Sequence, residues 1–302
     1  MIEPIYLSKN DLEKIKNFKI GMGSDASVYK IPPSLIGGEK GVLFKIYHKS
    51  SLNNNIENNS NDNDIKIYNK ENLKFDNIKE PISYLTNNDG VRLRSKEAIY
   101  KAIDRQKNIS MTNLPKNVIY VDNHFAGCVL KEQRGTQIHY LTGFPMKYKI
   151  MIMKNIILKL KELYSNNVYH VDLANSPFSQ SFYIDEFNQQ HCMAGHSHIL
   201  IHHFQPYLID LDGKSTIYTE CFNEKYYKTM IEQINILLVE FLLKLQIDNI
   251  LDDINGIELL ENELNKYNIP NNYIDSLSDL SLDLDHMNEF LDNISDKKKI
   301  LY

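Results

Sequence analysis

The chain has 302 residues, enough for one large domain or two lobes with a substantial buried core. Its 42% hydrophobic content is that of an ordinary globular protein, and its net charge of -5 at pH 7 excludes a general attraction to nucleic acid or anionic membranes. Three cysteines, Cys128, Cys192 and Cys221, do not make a disulfide framework, and the N-terminus has no apolar core of signal-peptide length. We therefore expect a cytoplasmic protein with no nucleic-acid and no membrane partner.

The first 50 residues predict a short helix and then an antiparallel meander of three strands. SKNDLEKIKN, at 8–17, predicts a helix with Ser8 as its N-cap. FKIGMGSDASVYKI alternates around two close glycines, which predicts two strands and a turn, and VLFKIY predicts a third strand. An insertion at about 50–64 is nearly all Asn, Ser and Asp, so it cannot bury enough apolar surface to offset its ordering entropy, and we expect it to be flexible.

The middle of the chain predicts two helices with two strands between them. Residues 65–93 give no clear prediction. SKEAIYKAIDRQKNI, at 95–109, has apolar residues at helical spacing, and NVIYVDN and HFAGCVLKE predict two strands joined by a tight Asp-Asn turn. Between Lys147 and Tyr164 the apolar positions again recur at helical spacing, which predicts a long helix.

The last part of the chain predicts two strands around a polar segment and then helices only. SFYIDEF and PYLIDLDG are strand-like, with a His-rich insertion between them, and from about 225 the pattern is helical, ending in an acidic tail helix at 276–294. INILLVEFLLKL is short and carries Glu240, which indicates a buried helix rather than a membrane span. A small β-rich half followed by a larger helical half predicts an α+β fold.

Two features of the β-rich half point to phosphate. GMGSDASV, at 21–28, lies between two strands, where glycines allow the backbone to approach phosphate oxygens closely, although a Gly-rich hairpin alone is more often only a turn. Lys45 is flanked by apolar residues on the third strand, a costly place for an ammonium unless a charge meets it. An edge-strand lysine facing water is the plain alternative, and the preceding Gly hairpin favours phosphate contact.

Carboxylates follow at several places downstream. Glu97, on the next predicted helix, is the candidate partner of Lys45, with Asp104 as the alternative on a mostly solvated face. Asp172 ends the segment YHVD after the long helix. Asp210 and Asp212 follow the apolar strand YLI, a position at which a carboxylate can meet a metal or a phosphate. A lone strand-end Asp is usually a turn residue, but two such loops downstream of the Gly hairpin and the strand Lys form a constellation.

The His-rich segment HCMAGHSHILIHH has two interpretations. Its imidazole and thiol groups, from His191, Cys192, His196, His198, His202 and His203, are potential zinc ligands. No familiar zinc-ligand spacing is present, and a polar, solvent-exposed hairpin is therefore the favoured interpretation. A metal or pH-sensing role is the alternative.

The constellation resembles the protein kinase superfamily. GMGSDASV is similar to the Gly-rich loop, VLFK to the strand with the nucleotide-binding Lys, HVDL to the catalytic loop and LIDLDG to the DFG region, in the family's order. The similarity covers roughly 15–245 and is nearest to divergent bacterial or phage-type serine/threonine kinases, in which an IDxD pattern replaces DFG. The resemblance implies a bilobal α+β fold, with an N-lobe at 1–133 and a helical C-lobe at 134–302.

The resemblance also assigns roles to individual positions. Lys45, oriented by Glu97, would hold the α- and β-phosphates of ATP, Asp172 would orient the substrate hydroxyl or accept its proton, and Asp210 would bind Mg²⁺. Asp212 and Ser181 are further candidate metal ligands. The other nucleotide-binding candidates cover the phosphates or form the hinge that reads adenine; they are Gly21, Met22, Gly23, Ser24, Ala26, Val28, Lys131, Glu132 and Gln133.

The chain departs from the family at three positions. Pro177 stands where the family has its metal-binding Asn, and with an insertion in the loop Gln180 or Ser181 would align with that Asn instead. Val171 replaces the Arg of the catalytic loop, and Ala26 replaces the third glycine. The expected function is ATP- and Mg²⁺-dependent phosphoryl transfer to a protein Ser/Thr hydroxyl. The alternatives are a nucleotide-binding pseudokinase scaffold, a kinase-fold enzyme acting on a small molecule, and an enzyme that transfers AMP.

Overall fold

A computed structural model describes most of the chain. The described residues are 4–22, 26–35, 41–48, 65–67, 85–87, 96–106, 108–109, 113–173, 180–184, 190–194, 197–212, 215–245, 256–267, 269–270 and 272–297. The insertion predicted at about 50–64 lies outside them.

Fifteen strands and seven α-helices are present in these described parts. The strands are β1 Ile5–Leu7, β2 Lys19–Met22, β3 Ala26–Tyr29, β4 Val42–Tyr47, β5 Ile65–Ile67, β6 Leu85–Asn87, β7 Asn117–Val121, β8 His124–Lys131, β9 Thr136–Gln137, β10 Val168–His170, β11 Gln180–Ile184, β12 Gln190–Ala194, β13 Ile199–His202, β14 Gln205–Leu208 and β15 Thr216–Tyr218. The helices are α1 Lys9–Ile15, α2 Lys96–Arg105, α3 Met146–Ser165, α4 Glu224–Leu237, α5 Gly256–Asn265, α6 Asn272–Ser278 and α7 Leu284–Lys297. The β-rich N-terminal region and helical C-terminal part agree with the α+β prediction.

The chain divides into two compact units. The first comprises 1–133, 166–168 and 209–222, and the second comprises 134–165, 169–208 and 223–302. The main division therefore falls after Gln133, and the segment carrying Asp210 and Asp212 groups with the N-terminal residues. Among the described residues, no helix combines the length and the apolar character that crossing a membrane would take.

A six-stranded sheet organises the first unit, in the order β1-β7-β8-β4-β3-β2. The meander predicted from the sequence is confirmed, since β3 is antiparallel to both β2 and β4. The tight turn between β7 and β8 is also confirmed, because Asp122 and Asn123 both have positive φ, the conformation that a two-residue hairpin turn needs. Strand β1, which was not predicted, pairs parallel with β7 and is too short to show a sequence pattern.

Strand β4 separates two apolar clusters because its side chains alternate between the faces of the sheet. Val42 and Phe44 belong to the cluster that also holds Ile15 of α1. Leu43 and Tyr47 belong to the cluster that also holds Ile99 of α2. By the same alternation Lys45, between Leu43 and Tyr47, is on the α2 face of the sheet, which is buried in apolar surroundings.

The second unit contains α3 and all the C-terminal helices. Helix α3 includes a fully buried lysine, Lys149, whose Nζ donates to the carbonyl of Phe241 at 2.7 Å. Burial, together with the charge of Lys244, lowers the pKa of Lys149 to about 8. Phe241 lies in a π-helical turn, Leu238–Leu243, that continues α4 and ends at Lys244 with φ of 61°. The buried helix predicted around Glu240 is therefore confirmed, with a change of helix type inside it.

The acidic tail helix predicted at 276–294 is wrong as a single helix. Helix α6 ends at Ser278 and α7 begins at Leu284. The Asp283 carboxylate accepts hydrogen bonds from the backbone N–H of Asp285 and of His286, so it caps a new helix start. The buried amide of Asn235 donates to two carbonyls of the intervening turn and holds it against α4. The apolar pattern continued through this break and concealed it.

The His-rich segment differs from the prediction. SFYIDEF and PYLIDLDG were predicted as strands on either side of this segment, which was interpreted as a polar, solvent-exposed hairpin. Strand β11 pairs with β12, and β14 pairs with β13, which lies inside the His-rich segment. Ile199 and Ile201 of β13 are buried, because ILIH is itself an alternating, β-branched strand sequence. The interpretation as a polar exposed hairpin is therefore wrong for 197–202.

A substitution at Gly127 tests how closely β8 packs on the strand that carries Lys45. A Cβ added at Gly127 would lie 2.0 Å from the Lys45 carbonyl oxygen, so the two central strands would have to separate. We expect Gly127→Ala to lower the free energy of unfolding by about 3 kcal/mol in chemical denaturation. Gly143→Ala is the matched control, since a Cβ there meets no heavy atom within 4 Å. Equal effects of the two substitutions would contradict this packing.

The N-terminal cap of α1 gives a pH-dependent prediction. Hydrogen bonds from the backbone and side chain of Ser8, together with Lys14, lower the pKa of Asp11 from 3.8 to about 2. Because the folded pKa lies below the unfolded one, this stabilisation is complete above about pH 4 and is lost as the pH falls towards 2. We expect Ser8→Ala to raise the Asp11 pKa towards 3.8 in an NMR titration. An unchanged pKa would show that the cap does not hold this carboxylate.

Candidate functional site

Lys45 lies at the centre of the six-stranded sheet. On β4 it pairs with Val28 of β3 on one side and with Cys128 of β8 on the other. Its side chain is only 12% exposed, so the ammonium needs compensating charge. That charge comes from Asp210, which accepts a hydrogen bond from Nζ, and from Asp212, whose Oδ2 is 2.9 Å from Nζ. All three residues belong to the first unit.

Asp210 is held in an unusual backbone conformation two residues after the end of β14. Its φ is 62°, in the left-handed region that Asp tolerates better than most residues. The Ser215 hydroxyl donates to Asp210 Oδ2 at 2.5 Å, and the Thr216 hydroxyl donates to the Asp210 carbonyl at 3.2 Å. One carboxylate oxygen therefore contacts Lys45 and the other contacts Ser215. This fixes the direction of the carboxylate.

Asp212 occupies a more enclosed position than Asp210. Its side chain is 1% exposed, whereas that of Asp210 is 12% exposed. The buried Tyr47 hydroxyl donates to Asp212 Oδ2 at 2.7 Å, and the Cys128 sulfur lies 3.3 Å from the same hydroxyl oxygen. Lys45 of β4 pairs with Cys128 of β8, and Tyr47 follows Lys45 by two residues on β4. Side chains of the sheet therefore surround this carboxylate.

Two carboxylates contact the ammonium of Lys45 in this cluster. Their negative charge affects the neighbouring Tyr218: burial raises its pKa well above 10.0, and the charges of Asp212, Cys128 and Asp210 raise it further. A partly accessible carboxylate such as that of Asp210 suits a hard divalent cation. Mg²⁺ is commonly bound by one or two carboxylates together with substrate phosphates. The ammonium of Lys45 in turn suits a phosphate oxygen.

Asp172 lies in the second unit, in the loop that follows β10. Its side chain is 37% exposed, while its backbone is held by two imidazoles. The backbone N–H of Asp172 donates to Nδ1 of the fully buried His170 at 3.4 Å. Its carbonyl accepts a hydrogen bond from Nδ1 of His198, and the same nitrogen is 3.8 Å from the Asp172 carboxylate. The residue therefore combines a fixed backbone with an accessible carboxylate.

The other predicted nucleotide-binding positions are distributed over the first unit. Gly21 is an exposed residue of β2. Ala26 and Val28 lie on β3, and Ala26 is buried. Lys131 ends β8, and Glu132 follows it, forming an ion pair with Lys30 at 2.6 Å and a backbone hydrogen bond to the Gly41 carbonyl. Gln133 is half-buried at the end of the same segment.

Several predicted site residues lie partly or wholly outside the described structure. Gly23 and Ser24 are not among the described residues, and the side chain of Met22 is not described. Glu97 is on α2 and Ser181 is on β11, again without described side chains. Ser181 pairs with Met193 in the β11–β12 hairpin, whereas the strand that pairs with β14 is β13, preceded by His198.

The zinc interpretation of the His-rich segment gains no support from the described side chains. Among these, no group of three or more His, Cys, Asp or Glu is arranged to hold a metal ion. His198 has a different environment, against the Asp172 loop, while the ring of His202 lies beside that of His203.

Sequence reasoning missed Tyr47 and Ser215, and it named His198 only as a potential zinc ligand. Tyr47 had one available signal, since it follows Lys45 by two residues on a strand and so shares its face. Ser215 had no signal although it is only five residues from Asp210, and the contact of His198 had none because Asp172 lies 26 residues earlier.

Comparisons with known proteins identify no relative. No protein family model matches the chain. No curated protein matches it either.

The Lys45–Asp212–Tyr47 contacts give a stability prediction. Asp212→Asn keeps the shape but removes a buried countercharge of Lys45, so we expect a loss of about 2 kcal/mol, limited because Asp210 still pairs with the ammonium. Tyr47→Phe removes one hydrogen bond and should cost about 1 kcal/mol. Asp104→Asn, at an exposed position of α2, is the control for the charge change. Chemical denaturation measures all three, and an Asp212→Asn protein as stable as Asp104→Asn would contradict the buried ion pair.

Proposed function

We propose that the protein is an ATP- and Mg²⁺-dependent phosphotransferase of the protein kinase type. The observation that carries the proposal is the position of Lys45, a nearly buried strand lysine whose ammonium is held by two carboxylates from one short segment, Asp210 and Asp212. A triphosphate with a divalent cation supplies the complementary charges. The order of these residues along the chain supports the same reaction through the resemblance to the kinase superfamily.

Lys45 binds phosphate oxygens of the nucleotide in the proposed reaction. Its four-carbon stem is fixed by the central strand, and Asp212 with Tyr47 keeps the ammonium from turning away. A lysine positioned in this way neutralises phosphate charge without a protein rearrangement at the moment of transfer. The backbone of β2 and β3 on either side of the Gly hairpin is proposed to cover the phosphates, and Lys131, Glu132 and Gln133 to contact the base.

Asp210 is the proposed ligand of Mg²⁺. When bound, Mg²⁺ would supply positive charge against the phosphates of the nucleotide. The Ser215 hydroxyl orients the Asp210 carboxylate through one oxygen, and the other oxygen, which contacts Lys45, would be the one to hold the cation. Asp212 is more enclosed and is proposed to hold Lys45 rather than to bind the metal.

Asp172 is the proposed residue that orients the acceptor hydroxyl and accepts its proton. A catalytic carboxylate has to be accessible to substrate while its backbone stays fixed, and Asp172 has both properties. The acceptor we propose is a Ser/Thr hydroxyl of a protein. No contact of the described residues favours a small-molecule acceptor or the transfer of AMP over this one, and the product mass distinguishes them.

The proposed function is tested first by binding. ATP with Mg²⁺ should raise the melting temperature of the protein, and ATP without Mg²⁺ should raise it less, because ligand that binds only the folded state stabilises it. Lys45→Met and Asp210→Asn should each remove the Mg²⁺-dependent part of the shift. Lys101→Met is the matched control, since Lys101 pairs with the exposed Glu220 at the surface of the same unit.

Transfer is then measured by mass spectrometry with a mixture of peptide substrates. We expect Lys45→Met and Asp210→Asn to lower turnover by roughly 100-fold or more. Asp172→Asn should lower turnover by about the same factor while leaving the ATP-dependent shift intact. A nucleotide shift without any transfer would support the pseudokinase alternative, and addition of AMP would replace phosphoryl by nucleotidyl transfer. Full turnover of the Lys45→Met protein would contradict the proposal.

A further inference from the structure

His198 has a contact that none of the roles above uses. It lies immediately before β13, in the segment whose histidines were interpreted as a polar hairpin, and its side chain is only 15% exposed. Its Nδ1 makes a hydrogen bond to the carbonyl of Asp172, 26 residues earlier in the chain. The imidazole therefore lies against the backbone of Asp172, the residue proposed above to orient the acceptor hydroxyl.

Residues 197–199 contact the backbone of residues 172–173, although the paired strands β11 and β12 lie between these two segments in the sequence. The backbone N–H of His198 donates to the carbonyl of Leu173 at 2.9 Å. The hydroxyl of Ser197 reaches the same carbonyl at 3.5 Å and accepts from the backbone N–H of Ile199 at 3.1 Å. Residues 197–199 are therefore fastened to residues 172–173 by main-chain and side-chain bonds together.

The support for His198 is rigid. Strand β13 pairs with β14 on one side and with β9 on the other, and Ile199 is fully buried. His198 directly precedes this paired strand, so its backbone position is fixed at one side, and it can hold the group that it contacts in a defined position.

The two histidines contact different backbone groups of Asp172: His170 contacts its N–H and His198 contacts its carbonyl. His170 accepts from the N–H of Asp172 through Nδ1, so its neutral ring carries the proton on Nε2. His198 faces a carbonyl, which only accepts, so its Nδ1 carries a proton. The same Nδ1 lies 3.8 Å from the Asp172 carboxylate.

We propose that His198 is a positioning residue for Asp172: its Nδ1–H holds the Asp172 carbonyl and thereby sets the direction of the carboxylate towards the acceptor hydroxyl. The catalytic consequence depends on the proposed phosphotransferase function, but the hydrogen bond and the protonation pattern of the two rings do not. The His-rich segment, on this proposal, supplies a part of the catalytic loop from a distant point in the sequence.

The hydrogen bond is tested by NMR of the full-length protein labelled with ¹⁵N-histidine. We expect His198 to carry its proton on Nδ1 and neutral His170 to carry it on Nε2, with His198→Leu and His170→Leu used to assign the signals. His202→Leu is the matched control and should remove neither signal, because His202 ends β13, four residues after His198, and its ring contacts that of His203. A neutral His198 protonated on Nε2 alone would overturn the proposal, whatever reaction the protein performs.

The effect on catalysis is tested with two substitutions at the same position. His198→Leu removes the donor, and we expect kcat to fall about tenfold or more, with KM for ATP changed by less than about twofold. His198→Asn keeps a donor at the same number of bonds from the backbone, since Asn Nδ2 replaces His Nδ1, and should restore kcat to within about threefold of the original protein. Thermal melting of both variants confirms that they fold.

Two results would overturn the positioning role while leaving the phosphotransferase function in place. One is an unchanged kcat in His198→Leu. The other is a kcat that recovers at saturating Mg²⁺, because His198 would then act on metal binding rather than on Asp172. If the original protein transfers no phosphoryl group, the proposed function fails by itself, and the ring protonation pattern still decides whether His198 holds Asp172.

Discussion

The buried ammonium of Lys45 is the interaction on which the first unit depends. A lysine on the inner face of a central strand is unfavourable unless opposite charge accompanies it. Asp210 and Asp212 provide this charge from one short segment, so the burial of Lys45 requires that segment to pack against the sheet. This explains why residues 209–222 group with the N-terminal residues although 75 residues, 134–208, separate the two segments.

Two carboxylates that share one ammonium have different surroundings. Asp212 is sealed by Tyr47 and has almost no exposure, so it serves to keep the ammonium in place. Asp210 retains some exposure and takes a left-handed backbone conformation, an uncommon state for a residue other than glycine. Apolar side chains of similar volume would stabilise such a core at least as well as an ion pair. Binding of a charged ligand would explain why three charged groups are buried together here, and this is the basis of the proposed function.

The second unit also contains a carboxylate residue, Asp172, whose position is fixed by polar contacts. Asp172 is accessible through its side chain, and its backbone is held by imidazoles from two separate segments, at His170 and His198. The strand that directly follows His198 is anchored by the buried side chains of Ile199 and Ile201. A segment that is rich in histidine thus contains both a core strand and a polar contact to the loop, and its overall polarity is a poor guide to either.

The sequence alone determined the elements whose signals are local. Ser8 capped a helix, Asp122 and Asn123 made the turn their residue types favour, and the meander around Lys45 followed from alternation. It also selected Lys45 and Asp210, because charged groups beside apolar strands need a reason, and Asp172, through the order of the motifs along the chain. Only the tertiary structure decided that Asp210 and Asp212 contact Lys45, that β13 and not β11 pairs with β14, and that His198 lies against Asp172. The contacts of Lys45 and of Asp172 join segments far apart in the chain, and no pattern within either segment specifies the distance between them, whereas the β13–β14 hairpin is local and was concealed by the histidines of its segment.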